Sequence, residues 1–319
     1  MRRKFREWSR TGTPWIWLNA GAVAISIIMV LGLFGVLAVN GLNHFWPNEV
    51  SQGSYVAPGF KSTELIGEVT RTEWVAADVL IASGLSVDPV QKLYRRDLWK
   101  LGNRDLNGID FAWVLSDFVT EVSTPKRVVV FERKQGGVFY GAISSLVLGE
   151  DTDPTIALFD DQSLWTQFQS RLDEVRKLDK QIQSIQSKQL ARATSDLELL
   201  RLKERAAMLE GELSPTLTQQ FSAQRLEIQV ELASLQHQLN QLYAQIERDS
   251  VLVRASNDVE VLIPLAEIVR AYQPNNLPLT GKLSVYSQRF WEFLTAEPRE
   301  GNTEGGVYPA IFGTVVMVL

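Results

Sequence analysis

Three hydrophobic patterns divide the chain. From Trp15 to Val39 no residue carries a charge, and the run is apolar on every side. A bilayer core of roughly 30 Å needs about 20 apolar residues as a helix, so the run predicts a membrane-spanning helix over 15–39. Its strongly polar members, Asn19 and Ser26, are small enough to be satisfied locally or against a neighbouring helix. Trp15 and Trp17 stand at one end, Phe45 and Trp46 just past the other, where interfacial aromatic belts sit. A cleaved signal peptide is the alternative, but its apolar region is normally about 7–15 residues and ends in small residues of A-x-A type. Ala38-Val39-Asn40 matches that poorly.

The second pattern is alternation, over 41–161 and again over 250–300, and it predicts a β-rich mixed domain in two pieces. Thr63 to Val69 reads as a strand, and Asn107-Gly108 marks a turn before alternating Ile109, Phe111, Trp113 and Leu115. Arg127–Glu132 and Val138–Ile143 flank Gly136-Gly137 as a hairpin. Val251–Val253 and Val259–Ile263 do the same around Ser256-Asn257-Asp258. Asp88-Pro89 predicts a helix start, Asp as cap and Pro at the first helical position, with Gly102 as its stop. That helix would carry Lys92, Arg95, Arg96 and Lys100 beside Tyr94 and Trp99, a face expected to be solvated, with contact to lipid headgroups as the alternative.

Between the two pieces the period changes. Ile228, Leu232, Leu235, Leu239, Leu242 and Ile246 are spaced alternately four and three apart, the a/d seam of a coiled coil. Leu172, Val175, Leu178, Ile182 and Ile185 repeat the pattern less regularly upstream, and Leu197 to Leu213 continue it loosely. Gly211 suits a helix end and Ser214-Pro215 a new start, so two antiparallel helices form a coiled-coil hairpin over 162–249. It either docks on a partner or is satisfied by its own seam.

Near the C-terminal end, Tyr286 to Leu294 is a short aromatic stretch, suited to lying on a membrane or to packing on the β-rich domain. A polar, Gly-rich loop then leads to Val307–Leu319, another run without charge. Too short to span a bilayer, it predicts a truncated second membrane helix over 301–319, with a buried strand at Thr314–Leu319 as the alternative.

Charge gives the first run a direction. Arg2, Arg3, Lys4, Arg6 and Arg10 precede it, opposed by Glu7, and no Lys or Arg follows until Lys61. The basic tail over 1–14 therefore predicts a cytoplasmic N-terminus and an extracytoplasmic domain. A net charge of −5 argues against nucleic acid as a partner. With no cysteine and only His44 and His237, disulfides, thiol nucleophiles and histidine metal clusters are not expected. Gly281-Lys282 has Asn276 where a P-loop needs its first Gly, and no H-E-x-x-H or Gly-x-Ser-x-Gly occurs. No catalytic, cofactor or metal residue is assigned; Glu150, Asp151 and Asp153 read as a solvated linker.

The segment Asn302-Thr303-Glu304-Gly305-Gly306, with the Val307-Tyr308-Pro309-Ala310-Ile311-Phe312-Gly313-Thr314 that follows it, resembles the lead-in to the transporter core of PstA-type phosphate ABC transporter permeases. Gly12–Leu18 and Ile263–Asn275 resemble the long variant of that family, which has a large periplasmic insertion between its first and second membrane helices. The resemblance implies an inner-membrane, multi-pass permease that is not itself an enzyme. It further implies a second permease subunit, two ATP-hydrolysing subunits and a periplasmic phosphate-binding protein as partners. The overall expectation is an α+β membrane protein comprising an N-terminal part of such a permease. Two alternatives stand beside it. One is a periplasmic adaptor of the membrane-fusion type, and the other is a sensor domain between two membrane helices.

Overall fold

The computed structural model describes residues 13–57, 61–149, 154–157, 161–211, 214–295 and 308–318. The chain divides into two units, Asn48–Asn276 and the flanking stretches Met1–Pro47 and Leu277–Leu319. Among the described residues the protein is α+β, with two antiparallel sheets and one N-terminal helix long and apolar enough to cross a membrane.

In the flanking unit, α1 covers Thr13–Asn43. The central unit opens with β1 (Val50–Tyr55), β2 (Thr63–Ala76), a short α2 (Ala77–Ala82) and β3 (Leu93–Lys100). A single turn, α3 (Arg104–Asn107), leads to β4 (Phe111–Leu115). A 3-10 turn (Ser116–Phe118) then leads to β5 (Val119–Ser123). The sheet order is β4-β3-β2-β1-β5, so the last strand returns beside the first.

The chain then repeats that plan. Strands β6 (Val128–Arg133) and β7 (Val138–Gly149) form a hairpin over Gly136-Gly137, both at positive φ as such a turn requires. A small β8 (Pro154–Ala157) pairs with the end of β7. Two helical arms follow: α4 (Asp161–Ser184), continued through a π-helical turn (Ile185–Leu190) into α5 (Ala191–Leu209), and α6 (Pro215–Ile246). Next come β9 (Ser250–Arg254), β10 (Glu260–Pro264), a 3-10 turn (Leu265–Glu267) and β11 (Ile268–Tyr272), ordered β10-β9-β7-β6-β11.

The two modules agree in register as well as in order. Val50 faces Glu68 as Val128 faces Ala142. Glu68 faces Lys100 as Ala142 faces Arg254, and Lys100 faces Phe111 as Arg254 faces Glu260. In each, the ladder shifts just after that point, between Val69 and Arg71 in one and between Ile143 and Ser145 in the other. Val119 faces Tyr55 as Ile268 faces Arg133. After the first strand, the Val56 N–H donates to Phe118 O (2.9 Å), and the Lys134 N–H donates to Glu267 O (2.7 Å). The molecule therefore contains one five-stranded plan built twice, which residue identities conceal.

What joins the second and third strands differs. In the first module α2 does so, and its Ala77 and Leu80 pack with Tyr94 and Leu115. In the second the helical arms do so, and Leu164, Phe168, Leu172 and Val175 of α4 join Phe131, Phe139, Val251 and Ile263 in one core. Side chains of α4 also cover the edge strand β11: Arg176 donates to Val269 O (3.0 Å) and Gln169 to Ala271 O (3.3 Å). The arms run antiparallel. Gln186 donates to the Tyr243 hydroxyl (2.9 Å), and Glu204 pairs with Arg225 further out. Ser214 caps α6 by accepting from the Leu217 N–H (3.2 Å), with Pro215 in the first turn and Gly211 left-handed before it.

Two readings change, and one irregularity is explained. The helix expected after Asp88-Pro89 is instead the strand β3, between β2 and β4. Asp88 makes a local turn, accepting from the Val90 N–H (2.9 Å), and Tyr94, Asp97 and Trp99 turn inward, so sheet pairing outweighs the helix-start signal. The strand alternative at Thr314–Leu319 gives way to a helix, α8 (Tyr308–Val318), preceded in the chain by α7 (Leu279–Thr295). Finally, the loose continuation of the apolar stripe beyond Ile185 has a cause. The π-helical turn at Ile185–Leu190 has a longer repeat than an α-turn and displaces the apolar stripe beyond it.

Candidate functional site

Two places position chemistry, one in each unit. Among the described residues nothing packs over the apolar side chains of α1: Trp15, Ile16, Leu18, Met29 and Phe34 are all more than half exposed. Ser26 satisfies its hydroxyl by donating to Ala22 O (2.9 Å). By length and composition this helix could cross a membrane. Just past its end, Phe45 holds three rings of α7: Tyr286 at 6.3 Å, Phe290 at 5.6 Å and Phe293 at 5.1 Å between centroids. Trp46 adds Tyr286 at 6.1 Å. The Tyr286 and Phe290 rings meet Phe45 edge to face, an arrangement that contributes roughly 0.5–1.5 kcal/mol per pair beyond area burial.

In the central unit one side chain ties the points where the chain comes in and goes out. Asn275 accepts from the Val50 N–H (2.9 Å) and donates to Val50 O (2.8 Å) and Pro125 O (2.9 Å). It joins the first strand, the link between modules and the last residues of the unit. A second amide, this one buried, binds the modules together. Asn103 accepts from the Tyr140 N–H (2.6 Å) and donates to Tyr140 O (2.9 Å), while the Tyr140 hydroxyl donates to buried Glu68 (3.0 Å). Arg133 pairs with Asp105 across the same seam and lies over the Phe139 ring.

A cleft of about 370 Å³ opens between the modules and the foot of α4, lined by Glu64, Arg127, Ser144, Trp165, Arg254 and Asp258 among others. Two guanidinium groups face two carboxylates there, so the four formal charges cancel. Ser144 Oγ is buried there without a hydrogen-bond partner. In the first module Asp97 is held by Thr72 (2.6 Å) and Ser116 (2.7 Å), with Arg95 at 3.3 Å. Burial alone would raise its pKa. The two hydroxyl bonds and the Arg95 charge outweigh burial and hold it below the ordinary carboxyl value. Burial of the Tyr55 phenol pushes its pKa up, against a hydrogen bond with the Leu115 backbone.

Leu235, Leu239 and Ile246 of the seam are buried, and Ile228, Leu232 and Leu242 pack half-buried on the same core. Asn302, Thr303, Glu304, Gly305 and Gly306 lie outside the described residues, as do Glu150, Asp151 and Asp153. Among the described residues no group of three or more His, Asp or Glu converges as metal ligands would. Sequence reasoning missed Asn103, Asp97 and the role of Asn275. Gly102-Asn103, both at positive φ, is the feature that marks the first of these in the sequence. No family model, curated protein or solved structure matches the chain.

Proposed function

We propose that the chain is a permease subunit of an ATP-binding-cassette importer for inorganic phosphate. Its α1 crosses the inner membrane with the N-terminus cytoplasmic, residues 48–276 form a periplasmic domain, and α8 begins a second crossing. The observation that carries the reading is the Asn275 clasp. A domain whose two ends are tied at one point hangs naturally between two membrane helices, and uncharged helices stand on both sides of it in the chain. The phosphate assignment rests on the likeness of Asn302–Gly306 to the permease lead-in. ATP would be hydrolysed by partner subunits, with a second permease and a phosphate-binding protein completing the complex. The helical arms are read as an antiparallel coiled coil, with Ile228, Leu232, Leu235, Leu239, Leu242 and Ile246 as one side of its seam.

The test is uptake of radiolabelled phosphate by cells lacking the gene, alongside affinity purification of the tagged chain. Lost uptake together with a co-purifying ATP-hydrolysing subunit supports the reading; normal uptake overturns it. One observation favours a second reading, a periplasmic adaptor: the helical arms are inserted between two strands of a β module. An outer-membrane channel in the same pull-down, in place of an ATPase, would decide for it.

A further inference from the structure

The flanking unit contains an amphipathic helix whose apolar side is only partly covered. At 3.6 residues per turn, Leu279, Leu283, Tyr286, Phe290, Phe293 and Leu294 fall on one side of α7. Gly281, Ser284, Gln288, Glu292 and Thr295 fall on the other, together with Val285, the buried residue of this helix. Lys282 and Arg289 mark one boundary between these sides and Trp291 the other. Phe45 takes only the middle of the apolar side, Tyr286, Phe290 and Phe293. Leu279, Leu283 and Leu294 keep 66 %, 52 % and 37 % of their surface exposed, and Trp291 keeps 65 %.

We infer that α7 lies in the interfacial layer of the bilayer, with Leu279, Leu283 and Leu294 turned toward the acyl chains. The occupant follows from what holds the helix. Phe45 and Trp46 come directly after the end of α1, so the rings that grip α7 stand at the level where an apolar helix leaves the membrane. A stripe of leucines beside aromatic rings, with cations on one flank and a tryptophan on the other, is the composition of an interface-lying helix. The neighbouring apolar surface of α1 makes the lipid contact continuous. This inference rests on the membrane reading of α1 proposed above.

The chain has no cysteine, so single spin labels can be placed without removing any native residue. Met29→Cys in α1, and Leu279→Cys, Leu283→Cys, Leu294→Cys, Ser284→Cys and Gln288→Cys in α7, all alter exposed or half-exposed positions. Each labelled full chain is reconstituted into vesicles of phosphatidylcholine with phosphatidylglycerol. Relaxation by oxygen, which enters the bilayer, is compared with relaxation by a water-soluble nickel chelate. The expected result is a several-fold higher oxygen-to-nickel ratio at 279, 283 and 294 than at 284 and 288, with 29 oxygen-accessible. If 29 is oxygen-accessible but the three leucine positions are open to nickel, α7 is in water and the inference falls alone. If they are closed to both, protein covers the stripe, and again only the inference falls. If 29 itself is open to nickel, the membrane placement of α1 fails and takes this inference with it.

Discussion

The two β modules have the same strand order, the same cross-strand partners and the same ladder shift, yet they are stabilised differently. In the first, the connection between second and third strands is a short helix whose Leu80 closes a small cluster. In the second, it is a pair of long arms whose foot merges with the sheet into one core from Phe139 to Ile246. A connection can be enlarged this far because the strand ends on either side are held by their own ladders. The entropy of closing a loop also rises only slowly with its length. The arms moreover shield the β11 edge through Arg176 and Gln169, whereas β5 at the matching edge is mostly exposed, with Val122 open. A shared backbone plan thus tolerates very different devices for core and edge.

The largest effect that separates the modules is expected at their plugs. Phe168 is fully buried, its ring 5.9 Å from Phe131 and 5.6 Å from Trp165. Phe168→Ala should cost about 3–5 kcal/mol in urea unfolding of the detergent-solubilised chain. Hydrogen exchange should loosen β6–β11 and the arm bases together while β1–β5 keep their protection. Leu80→Ala, at about 2–4 kcal/mol, should do the reverse. If either variant loosens both sheets equally, they are not separate cooperative units.

Tyr140→Phe removes the donor to Oε1 of buried Glu68, leaving that carboxylate with Asn48 on its other oxygen (3.4 Å), and should cost about 1–3 kcal/mol. Since that bond crosses the seam, protection should fall in both modules. A loss confined to β7 would mean that the seam does not couple them.

Acid should distinguish the modules next. Asp97 and Val251 occupy the same register position, one a carboxylate and the other an aliphatic side chain. Because the folded pKa of Asp97 is depressed, its contribution is present above the ordinary carboxyl value and is lost as pH falls through the folded value. Below pH 4, exchange corrected for its intrinsic pH dependence should rise in β3 before β9. Asp97→Asn should remove that difference; equal acid response in the wild type would refute the assignment.

The smallest effect belongs to the outer arms. Joining Leu190 to Leu239 through a short glycine turn removes residues 191–238, including the Glu204–Arg225 pair. It should change protection of the sheets by less than about 1 kcal/mol, since the removed segment is remote from them. A larger loss would show that the arms support the modules along their whole length.

Much of this was legible in local sequence signals. The uncharged run, Gly136-Gly137, Ser214-Pro215 and the spacing from Ile228 to Ile246 each act within a few residues, through solvation, backbone freedom or a helical repeat. Leu93–Lys100 was not legible, because its place between β2 and β4 depends on partners distant in sequence. Asn103 and Asn275 were hidden for the same reason: an amide becomes a clasp only when remote main-chain groups arrive beside it.

Where charge is absent, where the period is helical and where the chain turns all follow from neighbouring residues alone. The tertiary structure decided that two β stretches are one plan built twice and that the arms complete the core of only the second. Register is carried by main-chain hydrogen bonds, which accept Asp97 at one position and Val251 at its counterpart, so no residue pattern announces it.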